Sequence, residues 1–403
     1  MSEWEKVRFD QLSSPDRWAF SIGPFGSKVT TSDYREDGVP FIRGVNLAQG
    51  TFLDDGFVFI SAGKAKEIES ALVKPGDIVF TRKGTVGQVS MIPRNPRYEQ
   101  YAISGSQVKA RIDERHALPE FYYYWFRSPA GQHSILEHAV TTGVPSLANS
   151  LQSIRGLMVP KPPLVEQSAV VNVLGALDNK IAVNERIAAT ADTLGSALFH
   201  RATLEFPAGF VERPLSTTAA FINGRAFTKD ATGSGRMVVR IAEINSGPGA
   251  STVYNDINVP EQHLAKPGDV LFAWSGSLTV ARWFRPEAII NQHIFKCDPR
   301  NGYPQWLINH LVHRKIDEFR AIAADKATTM GHIQRKHLDE AVPVPDHEVL
   351  QMLHAEIGPL WDRALLAEQE NLALATLRDA LLPQLISGRL RVKDAEKIVE
   401  GHA

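Results

Sequence analysis

Apolar side chains in this chain follow two kinds of pattern, and each kind occurs twice. From 166 to 200 they recur at Val170, Leu174, Leu177 and Ile181, then at Ile187, Ala191, Leu194 and Leu198. The steps are 4-3-4, then 6, then 4-3-4, which reads as a helical heptad seam with one phase slip. From 353 to 385 the spacing runs through Leu353, Ile357, Leu360, Ala364, Ala367, Asn371, Leu374, Arg378, Leu381 and Leu385 without a slip. The second run carries four more residues between matched points, close to one turn, so its apolar face survives the insertion. Gly358-Pro359 sits inside it, and Pro359 is expected to kink this helix or to mark its true start.

Ahead of each helical run lie short clusters rich in Val, Ile and Phe, broken by Gly and Pro, as in GVPFIRGVNL and GDIVFTRKGTVGQVSMI. These predict strands and hairpins, with helix in LPEFYYYWFRS and YPQWLINHLVHRKIDEF. VPKPPLVEQ and VPVPDHEVL mark a break before each long helix, because proline cannot continue a strand interior but can open a helix.

The chain also repeats itself in detail. VKPGDIVF at 73–80 returns 192 residues later as AKPGDVLF at 265–272. Thr141-Thr142-Gly143 resembles Thr328-Thr329-Met330-Gly331, and Val159-Pro160-Lys161-Pro162 resembles Val342-Pro343-Val344-Pro345. Asn184, Ile187, Leu194 and Leu198 map onto Asn371, Leu374, Leu381 and Leu385 at one offset of 187. Matches that keep their order indicate two homologous halves, roughly 1–200 and 201–403, each a mixed strand-and-helix head followed by a long helix. The fold class is α+β.

Thirty residues of helix span ~45 Å. Either the two helices pair in opposite sense and hold two heads apart, or each is an ordinary core helix of its own domain. The repetition favours pairing. Asn184 and Asn371 either fix the register of that pairing or are solvated, and Arg378 either meets an acid or ends the seam.

Composition narrows the class without choosing a function. The 403 residues are 43% hydrophobic and 22% charged, with net charge −1, which excludes a disordered or collagen-like chain. The neutral total gives no overall electrostatic argument for nucleic acid, although it permits one basic face. A single cysteine, Cys297, makes neither an internal disulfide nor a cysteine metal cluster, which fits a reducing cytoplasm. No secretory signal is visible in MSEWEKVRFD, and no apolar run approaches ~18 residues, so no membrane span is expected.

Catalytic motifs are missing. There is no GxxxxGK[ST], no strand-linked GxGxxG, no GxSxG and no Asn-Pro-Pro-aromatic; Asn95-Pro96-Arg97-Tyr98 does not replace the last. His310 and His313, three apart in NHLVHRK, read as a solvated helix face rather than a metal site. The expectation is a chain with no metal, no cofactor and no catalysis of its own. Binding chemistry remains. The loop after the first Lys-Pro-Gly-Asp strand holds Arg82, Lys83 and Thr85 together with Gly84 and Gly87, and its counterpart holds Trp274 and Ser275. Ser106 and Gln107 in one half, and Gln292 and His293 in the other, precede matching apolar runs. Arg43 and Arg240 follow short strands in matching places. Such residues position phosphates and read base edges; each taken alone could equally be solvated polarity at a strand end.

KPGDIVFTRKGTVG with KPGDVLFAWSGS, VPKPPLVEQSAVVNVLGALDNKIAVNERI, and the closing LATLRDALLPQLISGRL together resemble the specificity subunit of type I restriction–modification systems, over nearly the whole chain. The resemblance implies two target-recognition domains, at 1–163 and 203–346, each reading one part of a bipartite, asymmetric sequence in double-stranded DNA. It implies conserved helices at 164–202 and 347–391, followed by a tail at 392–403. The helices would pack antiparallel as a coiled-coil spacer that sets the unread gap. The chain would bind two modification subunits, which carry S-adenosylmethionine and methylate adenine, with a restriction subunit as a further candidate partner, in a prokaryotic cytoplasm. The competing reading is a non-catalytic scaffold that reads no DNA sequence.

Overall fold

Each Lys-Pro-Gly-Asp is a turn that delivers the chain into a buried strand. The Asp77 carboxylate accepts the Lys74 N–H at 2.8 Å, and Asp269 accepts that of Lys266 at 2.7 Å. Gly76 and Gly268 sit at φ +85° and +95°, where a side chain is strained, so glycine is required at that point. The strands that follow, Ile78–Thr81 and Val270–Ala273, are buried at every position. The sentence written twice is therefore a folding instruction.

The computed structural model describes residues 4–26, 28–50, 52–325 and 331–401; Thr328, Thr329 and Met330 of the repeat comparison lie outside these. The chain forms two compact units, Met1–Asp178 with Thr376–Ala403, and Asn179–Ala375. In the first, an antiparallel sheet runs in the order Phe20–Ile22, Gln107–Ala110, Ile78–Thr81, Val89–Met91. A second sheet has one parallel pair, Val39–Ile42 beside Tyr101–Ile103. The second unit repeats both: Ala219–Asn223, Ile294–Pro299, Val270–Ala273, Thr279–Arg282, and a sheet whose parallel pair is Arg236–Val239 beside Ala288–Ile290.

A terminal ribbon closes each head, Lys6–Arg8 with Met158–Pro160, and Phe210–Pro214 with Ala341–Pro345. The proline-rich segments are thus strands, where a break was expected. Each lies in a two-stranded ribbon, an edge position in which proline costs no ladder partner.

Both heads bury a lysine. Lys109 is 1% exposed and Lys296 8%; they donate to the main-chain carbonyls of Leu72 and Leu264, and Lys296 also meets Asp269 at 2.9 Å. Burial lowers the Lys109 pKa to about 8. Cys297 is buried, and desolvation raises its pKa.

The long helices are Leu164–Glu205 and His347–Ile386. The central helix has no phase slip. Its inward positions run through Val170, Leu174, Leu177, Ile181, Asn184, Ala188, Ala191, Gly195, Leu198 and Ala202, an unbroken alternation of four and three. Buried Asn184 and Ala188 fill the seam between Ile181 and Ala191, and Leu194 is 45% exposed, off the packed face. The offset of 187 carries Val170, Leu174 and Leu177 onto buried Ile357, Trp361 and Ala364, so the second helix has no insertion. It also begins twelve residues before Pro359, which it incorporates.

Within the second unit the helices run antiparallel. Asn371 donates to the Ile181 carbonyl at 3.2 Å, Asn184 donates to Glu370 at 2.8 Å, and Lys180 meets Glu370 at 3.1 Å. Ala188, Ala191, Ala364 and Ala367 form a small-residue core with Ile187 and Leu360 beside it. Leu198, Leu353 and Ile357 pack with the head, and Leu374 is half-buried. Within the first unit, Leu381 and Leu385 are buried and Arg378 meets Asp178 at 2.9 Å, so this seam cation has its acid.

The second head is tied to its helices by Arg282, whose side chain is 4% exposed. It meets Glu368 at 2.8 Å and Asp192 at 3.1 Å and lies 4.4 Å from the Trp361 ring centre. His310 is stacked on Phe199 at 5.4 Å and edges Trp306, which corrects the expectation of a solvated histidine; burial lowers its pKa to about 4. His313 is exposed, as expected.

Candidate nucleic-acid interface

The strand Ile78–Thr81 ends in the loop carrying Arg82, Lys83 and Thr85. The main chain fixes Arg82: its N–H donates to Ser106 O and its carbonyl accepts from Leu147 N–H, both at 2.8 Å. Its Nε donates to Gly105 O at 2.8 Å, and its guanidinium lies 6.0 Å from the centre of the Phe25 ring, which is 64% exposed. Partial burial lowers the Arg82 pKa, which for a guanidinium leaves the charge in place. Lys83 is exposed and forms a bridge with Ser146. Arg82, Lys83 and Ser106 line one cavity of about 360 Å³ with Phe25, Tyr34 and Ser104. Thr85 donates to Gln88 at 2.6 Å and stands near Gly44, next to Arg43. Arg43 is half-buried; its N–H donates to Asn46 and its Nη2 reaches Gly56 O at 3.4 Å.

The second head rebuilds this frame with other side chains. Trp274 N–H donates to His293 O, its carbonyl accepts from Ile333 N–H, and Gly276 N–H donates to Gly331 O, as Gly84 does to Pro145 O. Trp274 therefore replaces Arg82, and His293 replaces Ser106. The Trp274 indole donates to Asn223 Oδ1 at 2.8 Å and lies 5.5 Å from the His293 ring. Gln292 is exposed and half-buried His293 is beside it. Gly23 and Gly224 also correspond: a Cβ on either would meet the carbonyl oxygen of Ser104 or Asn291 at 2.0 or 2.2 Å, so only glycine allows the approach.

Three expected contacts need correction. Gln107 is 0% exposed; its Oε1 accepts from the Ser104 N–H and hydroxyl, which shapes the turn under Ser106 and keeps the side chain inside. Ser275 is 4% exposed because its strand end bridges to His332. Arg240 is held by both Glu243 carboxylate oxygens, with contacts at 2.6 and 3.1 Å, so its charge is largely neutralised. Phe25 joins the candidates through the fold: its place between Gly23 and Gly26 is legible in the sequence, and its 64% exposure is not.

The described surface thus offers each head a strand-end loop held rigidly by main-chain bonds and topped by different chemistry. Residues 20–191 match the family of the type I restriction modification DNA specificity domain. Those residues form a domain of that family. Its role is DNA sequence specificity. The MjaIX type I restriction enzyme specificity subunit of Methanocaldococcus jannaschii is 21% identical over 92% of this chain and 91% of its own length. The crystal structure of a type I restriction–modification S subunit from M. genitalium has the same fold, with a TM-score of 0.57 and 15% identity over 95% of this chain and 96% of that one. Among the described residues, no helix is long and apolar enough to cross a membrane.

Proposed function

We propose that this specificity chain reads a bipartite, asymmetric target in double-stranded DNA and serves as the assembly frame of a type I restriction–modification complex. The observation that carries the proposal is one frame used twice with different tips: Arg82-Lys83 against Trp274-Ser275, and Ser104-Gly105-Ser106 against Asn291-Gln292-His293. A protein that needed two equal grips would keep the tips alike. Two dissimilar readers, the heads at 1–163 and 203–346, suit two different half-sites. The long helices then set the unread gap, since residues buried along both seams give that gap one length.

Two modification subunits, and in a complete system restriction subunits, assemble on this frame in the prokaryotic cytoplasm. The modification subunits carry S-adenosylmethionine and extrude the adenine they methylate; this chain holds the register in which that happens and has no catalysis of its own. The net charge of −1 is consistent with partner subunits supplying part of the phosphate contacts. The same near-neutral charge is what a scaffold without sequence reading would also have. Mapping methylated adenines in the native genome separates the two. A two-part motif with a fixed gap, lost when this gene is deleted, supports the reader. Methylation with no shared sequence supports the scaffold.

A further inference from the structure

The second head contains a cavity of about 510 Å³ beside the Trp274 loop, whose indole meets Asn223, and its polar wall is Asn223, Arg225, Gln262, His263, Arg300 and Arg335. The three arginines come from three elements. Arg225 follows the strand Ala219–Asn223, Arg300 follows Ile294–Pro299, and Arg335 opens the turn Arg335–Asp339. All are exposed, and no carboxylate is among the residues that line the cavity. Arg335 donates to Phe221 O at 3.0 Å and Arg300 to Ser216 O at 3.5 Å, which leaves most of their five N–H donors available.

His263 supplies a second observation. It is 3% exposed, and its Nδ1 has no hydrogen-bond partner. The Gln262 amide lies 3.5 Å from the other ring nitrogen, Nε2. Burial and the charge of Arg225 lower its pKa, so the ring is neutral near pH 7. A buried polar atom left without a partner is costly and marks a place where a ligand can supply one.

The first head shows that the fold does not require this cluster. The frame correspondences place Pro24 where Arg225 stands, Ala71 for His263, Asp113 for Arg300 and Asn149 for Arg335. One copy of the frame has three cations and a histidine where the other has an acid and no cation.

We propose that this cavity is an oxyanion site that takes a phosphate group, and that in the working complex the phosphate belongs to the DNA backbone held by the second head. Convergent guanidinium groups bind phosphate through charge-assisted, often paired hydrogen bonds. The choice of DNA as the source rests on the reading proposed above. The grip on DNA is then lopsided: the second head holds the backbone through a built site that the first head lacks.

The test has two arms and uses the Arg225→Ala and Arg300→Ala variants, with Arg300→Lys to keep the charge. Among the described residues the Arg225 side chain makes no hydrogen bond or ion pair, so its removal breaks none. In the first arm, the thermal midpoint of the full chain is followed against inorganic phosphate. The site predicts a phosphate-dependent rise that both alanine variants blunt and Arg300→Lys partly keeps. In the second arm, the complex with its modification subunits is titrated onto target DNA across salt concentrations. DNA as the source predicts affinity down by about 5- to 10-fold in each alanine variant, a shallower salt slope by about 1, and an unchanged methylated motif. A phosphate effect with an unchanged slope assigns the site to a free oxyanion and overturns the DNA source. No change in either arm overturns the site. If the wild-type complex shows no sequence selectivity, the DNA-reading proposal fails, and the phosphate arm still decides the cavity.

Discussion

The Asn184 side-chain amide donates to the Glu370 carboxylate at 2.8 Å, and Asn371 donates to the Ile181 carbonyl at 3.2 Å, so two buried or half-buried asparagines key one antiparallel helix pair. Alanine contacts on either side would tolerate sliding; these bonds are made in one register only. Asn184→Asp sets a carboxylate against Glu370, with Lys180 and the more distant Arg363 to offset it. The variant should lose about 2 kcal/mol of stability near pH 7. Repulsion raises the pKa of the folded pair above the unfolded value near 4, so the folded state takes up the extra proton first and the loss should shrink as pH falls toward 5. Urea unfolding at pH 7 and pH 5 measures both, with Asn184→Ala as the uncharged control, whose deficit should not depend on pH.

Arg282 joins the second head to the helix pair through Glu368, Asp192 and the Trp361 face. Removing it leaves Glu368 half-buried without its cation. Arg282→Ala should cost about 3 kcal/mol, and Glu368→Gln clearly less, because Asp192 still pairs with the arginine. Chemical denaturation of the two variants gives the comparison; equal effects would contradict this ranking.

His310 predicts an acid limb. Its folded pKa is lowered to about 4 from an ordinary 6.5 by burial against Phe199 and Trp306. Between these values the unfolded chain binds the proton and the folded chain does not, so stability falls as pH drops from 6.5 toward 4 and is unaffected above. His310→Gln should be less stable than wild type at pH 7, and the two should converge near pH 4.5. Denaturation midpoints across that range test the sign.

The loop at Arg82 and Lys83 should hold backbone phosphates. Replacing both with alanine should weaken target binding and flatten its salt dependence by up to about 2 in slope. Arg240→Ala should change the slope little, because Glu243 already neutralises that charge. Filter binding at several salt concentrations separates the pair from the single variant.

The duplicated architecture could be read from spacing alone, because Lys-Pro-Gly-Asp and the heptad seams are local patterns tied to local structure. The expected slip arises because the larger Ile187 stands next to buried Ala188 and draws the apolar pattern one residue off the packed face. Gln107 and Ser275 looked like surface polarity; Gln107 turns inward to bond Ser104 within one tight turn, and Ser275 is covered by a bridge to His332, a contact that no local window contains. The three arginines at 225, 300 and 335 are scattered in sequence and meet only when the sheet brings three strand ends and turns together.

The account turns on two unlike readers held at one distance. Selection of bound duplexes from a random pool, by the complex carrying wild-type chain and by one carrying four extra residues in each long helix, after Ala182 and after Glu370, tests it most directly. One added turn of about 6 Å should widen the gap by about two base pairs and leave both half-sites as they were. A single continuous motif, a flat profile, or a gap that ignores the insertion would contradict it.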